Sequence, residues 1–113
     1  MFLHTGIVER GTGRATALGF PTINIPFDNA GITGIYAGRV IIEETSYPAA
    51  IYVDQRRHLL EAHLLDFSGE LYGSKVGIEL HQKLREDAKF DDEASLRAAI
   101  ADDIQKARRY FGL

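Results

Sequence analysis

The chain has 113 residues, 45% of them apolar, with 13 Lys and Arg against 16 Asp and Glu, four His and no Cys. That length supports one compact domain, expected to span 1–113, which buries roughly two-thirds of its unfolded surface without a disulfide; the lack of cysteine also excludes thiolate nucleophiles and cysteine-bound zinc. A net charge of −3 argues against nucleic-acid and anionic-membrane partners, and no apolar run nears the roughly 20 residues of a membrane span or forms a signal peptide, so a cytoplasmic protein is expected.

The dominant hydropathy period is two. Leu3–Glu9 reads as a first strand and Thr22–Pro26 as a second, with the glycine-bearing stretch Gly11–Gly19 between them. In Ile35–Ile42 the face with Tyr36, Gly38, Val40 and Ile42 is expected inside and Arg39 outside. Tyr47, Ala49, Ile51 and Val53 share one face of a fourth strand. Leu60, Ala62 and Leu64 do so within Leu59–Asp66, and Val76, Ile78 and Leu80 within Lys75–His81. Six short strands separated by Gly, Asn, Asp and Ser clusters predict an antiparallel barrel or sandwich. From Glu93 to Tyr110 the period changes: Leu96, Ala99, Ile100, Ile104 and Ala107 recur at helical spacing. Asp92 fits an N-cap, Lys106, Arg108 and Arg109 suit the negative end of the dipole, and Gly112 suits the C-cap. The expectation is a small β-barrel closed or flanked by one C-terminal helix.

Gly11-Thr12-Gly13-Arg14 lies between two strands, and paired glycines can expose consecutive backbone N–H groups to phosphate oxygens. The stretch is neither a Walker A loop nor a dinucleotide fingerprint, because the required lysine, third glycine and following helix are lacking. Pro21 belongs at a strand start, and period two then places Thr22 and Asn24 on one face. Two side-chain oxygens there suit magnesium, or equally the polar outer face of an edge strand. Glu61 stands opposite Leu60 and Ala62, with His63 two residues on. It can serve as a general base or simply be a solvated strand residue. His58, Glu61 and His63 have the wrong spacing for a zinc motif, and no Gly-x-Ser-x-Gly elbow occurs.

Taken in order, these segments resemble the riboflavin kinase (flavokinase) family. The matching residues are Gly6-x-Val8, the Gly11–Arg14 loop and Leu18-Gly19-Phe20-Pro21-Thr22-x-Asn24, close to the family's Pro-Thr-Ala-Asn motif. Gly34-Ile35-Tyr36-Ala37 and Glu61-x-His63-Leu64-Leu65-Asp66-Phe67 follow, then Leu71-Tyr72-Gly73, Leu84-Arg85, Lys89-Phe90 and the helix with Leu96, Ile100, Asp103 and Ala107. The resemblance implies a six-stranded antiparallel Greek-key β-barrel with a C-terminal α-helix. It also implies transfer of the γ-phosphoryl of ATP to the 5′-hydroxyl of riboflavin, giving FMN and ADP. On that basis Thr22 and Asn24 would hold Mg2+ and nucleotide phosphates, with Gly11, Thr12, Gly13 and Arg14 covering them. Glu61 would be the catalytic base, and Arg85 and Phe90 would lie by the flavin.

The glycine loop and Leu84–Phe90 are expected to close over the ligands. Riboflavin and ATP would be the only partners of a monomer. No adenylyltransferase (FAD synthetase) motif His-x-Gly-His is present, which implies a product that stops at FMN. Ile23 stands where the family usually has alanine. Ile51-Tyr52-Val53-Asp54-Gln55-Arg56-Arg57 stands where it usually has a glycine-bearing segment ending in Arg-Pro-Thr-Phe, which points to altered nucleotide affinity or donor choice. The competing reading is a flavin- or nucleotide-binding module on the same barrel that has lost turnover.

Overall fold

A computed structural model of the chain describes residues 2–11 and 13–113. Six strands, β1 (Phe2–Ile7), β2 (Ile23–Pro26), β3 (Ile35–Ile42), β4 (Thr45–Asp54), β5 (Leu59–Leu64) and β6 (Lys75–Arg85), form one antiparallel sheet in the order β1-β6-β3-β4-β5-β2. Hairpins join β3, β4 and β5, and β6 returns to lie beside β3, which is the Greek-key arrangement. The two ends of the order, β1 and β2, meet through one bridge beyond β1. There the Glu9 amide donates to the Asn24 carbonyl at 2.8 Å, which nearly closes the sheet into a barrel.

Period two explains the interior. Val40, Ile51, Leu60 and Ile78 point inward from four strands and are fully shielded from water, with Ile25 added from β2. Truncating one of these to alanine would cost about 2–5 kcal/mol. The helix α2 (Glu93–Tyr110) packs outside the barrel, where Ile104 and Ala107 cover Ala37, Ala50 and Leu65. So β3 and β4 are buried on both faces near the helix: Ala37 is as shielded as Val40. Asp92 caps α2, accepting the Ser95 amide at 2.7 Å. At the other end Phe111 is the cap residue and Gly112, at φ 72°, takes the left-handed position just after it, its amide reaching the Arg109 carbonyl at 3.2 Å and that of Leu113 reaching Arg108 at 2.9 Å.

Three expectations need correction. A one-turn helix, α1 (Arg14–Ala17), follows the glycines where the sequence shows none; the Ala17 amide reaches the Gly13 carbonyl at 2.9 Å. β6 runs to Arg85, so Leu84 and Arg85 are strand residues and not part of a loop. The segment 51–57 is mostly the end of β4, and only 55–58 turns into β5.

Candidate active site

Antiparallel register places directly opposed residues on the same face of a sheet. Asn24 of β2 opposes Glu61 of β5, Glu61 opposes Tyr52 of β4, Tyr52 opposes Ile35 of β3, and Ile35 opposes Arg85 of β6. These five residues form a transverse row across the outer face of the barrel. Above the row lies a cleft of about 820 Å³ between the sheet, α2 and the segment 86–91. Thr22, Glu61, Tyr52, Arg85 and Phe90 all line it.

At the β2 end, the Thr22 hydroxyl donates to Glu61 Oε1 at 3.3 Å. Glu61 is half-buried. Withdrawal from water raises its proton affinity, the Thr22 hydrogen bond lowers it, Asp54 raises it and Arg57 lowers it, with a net upward result. Asn24 is 4% exposed, and its Oδ1 has no hydrogen-bond partner among the described residues. It therefore does not belong to a polar outer face open to water. Gly11 makes room for it: a Cβ there would stand 2.6 Å from the Asn24 amide.

The motif from Leu18 to Pro21 sets this corner. Gly19, at φ 97°, ends α1, its amide reaching the Thr16 carbonyl at 3.0 Å and the Phe20 amide reaching Ala15 at 2.8 Å. This paired closure is the Schellman arrangement, and glycine adopts its left-handed φ without a side-chain penalty. It delivers Phe20 to the cleft wall and Pro21 to the head of β2. His63 fixes the joint by donating from Nδ1 to the Pro21 carbonyl at 2.7 Å, with its ring edge-on to Phe20.

At the opposite end, Arg85 holds Asp103 of α2 through two parallel bonds, Nε to Oδ1 and Nη2 to Oδ2, both at 2.8 Å. This bidentate pair holds the Arg85 guanidinium above its ordinary proton affinity. The same guanidinium lies 5.7 Å from the Phe90 ring centroid. Between the ends, the Tyr52 hydroxyl donates to Asp87 Oδ2 at 2.9 Å, tying the sheet to the segment 86–91. Burial, that bond and the nearby Asp87, Asp54 and Glu61 charges push the Tyr52 phenol well above its ordinary range.

The structure thus brings Thr22 and Glu61 to one end of the cleft and Arg85 with Phe90 to the other, while Asn24 and Gly11 lie beside the first end without lining it. Gly13 heads α1 facing open space and does not line the cleft, and Arg14 begins α1. Thr12 lies outside the described residues. The sequence pointed to 51–57 as a segment affecting nucleotide affinity without giving Tyr52, Asp54 or Arg57 individual places, and Asp87 was not singled out. Tyr52 was within reach, since it alternates with Ile51 and Val53 and so faces away from the core.

Residues 1–111 match the flavokinase family model, described as riboflavin kinase, and the chain belongs to that family. It is 34% identical over 121 residues to the bifunctional riboflavin kinase/FMN adenylyltransferase of Escherichia coli (strain K12), covering 99% of this chain and 39% of that protein. The chain spans less than half the length of such curated relatives. A crystal structure described as a macrolide-efflux protein from Streptococcus pneumoniae superposes with a TM-score of 0.82 at 25% identity, over 94% of this chain and 38% of that one. Riboflavin kinase from Trypanosoma brucei has the same fold, with a TM-score of 0.68 and 24% identity over 97% of this chain and 76% of that one. No helix among the described residues is long and apolar enough to cross a membrane.

Proposed function

We propose that this chain is a riboflavin kinase that transfers the γ-phosphoryl group of ATP to the 5′-hydroxyl of riboflavin, giving FMN and ADP. The observation that carries the reading is the meeting of Thr22 and Glu61 at one end of the cleft, with Asn24 directly opposite Glu61 across β2 and β5, in a chain matched by the family over 1–111. Glu61 accepts the proton of the ribityl hydroxyl as the new O–P bond forms and the bond to the β-phosphate oxygen breaks. Its raised proton affinity suits that task, because a base must bind the proton it removes. Thr22 orients the carboxylate. The flavin ring lies toward Arg85 and Phe90, where the Asp103 pair holds the guanidinium still.

The buried, unpartnered Oδ1 of Asn24 and the Thr22 hydroxyl beside it fit a hard cation such as magnesium. Bound there with the nucleotide, magnesium would neutralise charge on the phosphate oxygens. The backbone at Gly11 borders the same spot, so the phosphates lie under the glycine segment. A module that only bound flavin would have no use for a withdrawn carboxylate held by a hydroxyl. We read the protein as a monomer acting in the cytoplasm on these two small molecules alone.

Incubation with riboflavin, ATP and magnesium, followed by chromatography, tests the reading. FMN should appear with the wild-type chain and fall sharply with Glu61→Gln. A well-folded wild-type chain that makes no FMN under these conditions overturns it.

A further inference from the structure

The β4–β5 turn carries an arginine pair beside the base. Asp54, the last residue of β4, faces outward like Tyr52, yet its side chain is only 4% exposed. Arg57 compensates this carboxylate twice, through its backbone amide at 3.2 Å and its Nη1 at 3.1 Å. A carboxylate withdrawn from water needs such a partner. The turn itself is anchored from the side: the Gln55 amide donates to the carbonyls of Ala30 and Ile32 at 2.9 and 3.0 Å. Arg57 therefore sits on a braced turn and not on a loose loop.

The guanidinium carries five N–H donors, and the Asp54 bond uses one of them. The side chain lines the cleft and is 55% exposed, so the remaining donors are open to a ligand. Among the described residues, Arg56, Arg57, Arg85 and Lys89 bring lysine or arginine charge to the cleft. Arg85 is committed to Asp103 at the far end. Arg57 lies on the turn that leads into β5, the strand that carries Glu61, and both side chains line the cleft, which places it at the end where the phosphoryl group must arrive.

We propose that Arg57, clamped by Asp54 on the β4–β5 turn, contacts the phosphate chain of the nucleotide and holds it against Glu61. The inference rests on the kinase reading above. Phosphoryl transfer depends on positioning and on neutralising charge spread over the equatorial oxygens, and a planar guanidinium suits both needs. The clamp supplies preorganisation: Asp54 fixes the stem while leaving the fork free.

Titration with magnesium-ADP, in the absence of riboflavin, reads this contact directly. Arg57→Gln should weaken ADP binding by about 10- to 100-fold, the range of one charge-assisted phosphate contact, and Arg57→Lys should restore part of it. The KM for ATP should rise alongside, while the KM for riboflavin stays near wild type. Because Arg57→Gln leaves Asp54 unpaired, Asp54→Asn/Arg57→Gln is measured in parallel. This neutral pair keeps the hydrogen-bonding shape and should show the same loss in a folded protein. Wild-type ADP affinity in the folded double variant overturns the proposal, whether or not FMN is formed. Absence of FMN from the wild-type chain, with ADP affinity still dependent on Arg57, would instead overturn the kinase reading alone.

Discussion

The two ends of the cleft each hold a carboxylate withdrawn from water, and they are compensated in opposite ways. Asp103 receives a full bidentate partner in Arg85, with both oxygens occupied at 2.8 Å. Glu61 receives one hydroxyl, at 3.3 Å, and a share of the charge of Arg57. A saturated pair is inert and holds two elements together, here β6 and α2. An undercompensated carboxylate retains appetite for a proton, which is what a general base requires. The difference separates a fastening from the carboxylate we propose as the base.

Removing charge at the reactive end should give the largest effect. Glu61→Gln is expected to lower kcat by roughly 10²–10⁴ while riboflavin binds within a few-fold of wild type. Steady-state kinetics on a preparation with a normal melt checks this; a fully active Gln variant would make the two carboxylates alike. At the fastened end the loss should appear in stability. Asp103→Ala strands the Arg85 charge between β6 and α2, and should cost about 3 kcal/mol in urea unfolding. A change below about 0.5 kcal/mol would mean that the pair fastens nothing.

Thr22→Ala and Asn24→Ala sharpen the contrast more gently. Each should weaken magnesium-nucleotide binding by about 1.5–3 kcal/mol in calorimetric titration. The Thr22 variant should also move the acid limb of the rate profile upward, because the bond that holds the Glu61 proton affinity down is lost. Unchanged affinity in both would return the pair to a structural role.

The smallest effect concerns pH and folding. The folded state raises the proton affinity of Glu61 above the ordinary glutamate value of 4.5, so its contribution to stability is complete below that value and is lost as pH rises through the folded one. At neutral pH the ionised side chain therefore opposes folding. Glu61→Gln should melt slightly higher than wild type at pH 7, with the gap closing below about pH 4.5. A melt that falls at pH 7 would contradict the burial argument.

Much of this was legible in the residues. Strands with alternating Val, Ile and Leu were readable because one face is buried in a single barrel. The helix was readable from Asp92 through Tyr110 for the same reason at a different period. What escaped was set by contacts distant in sequence. α1 spans four residues, too few for any period, and exists because Gly13 and Gly19 bracket it. The second half of β6 lost its alternation at the register shift against Ala37 and Gly38. Thr22, Asn24 and Glu61 were individually visible, and the resemblance grouped them. Their register with Tyr52, and the burial of Asp54, follow only from which strands lie side by side.

One consequence of the barrel's closure concerns where it can breathe. β2 has only four residues, in full register with β5 on one side and joined toward β1, among the described residues, by the single Glu9–Asn24 bridge on the other. The residue at that bridge is also the one whose buried Oδ1 has no hydrogen-bond partner among the described residues and which we propose as a magnesium ligand. Seam and site share one stitch, so a bound nucleotide should sew the barrel shut, and the Glu9 amide should exchange with solvent more slowly once magnesium-ADP is present. Equal exchange with and without it would show that the seam is held by the protein alone.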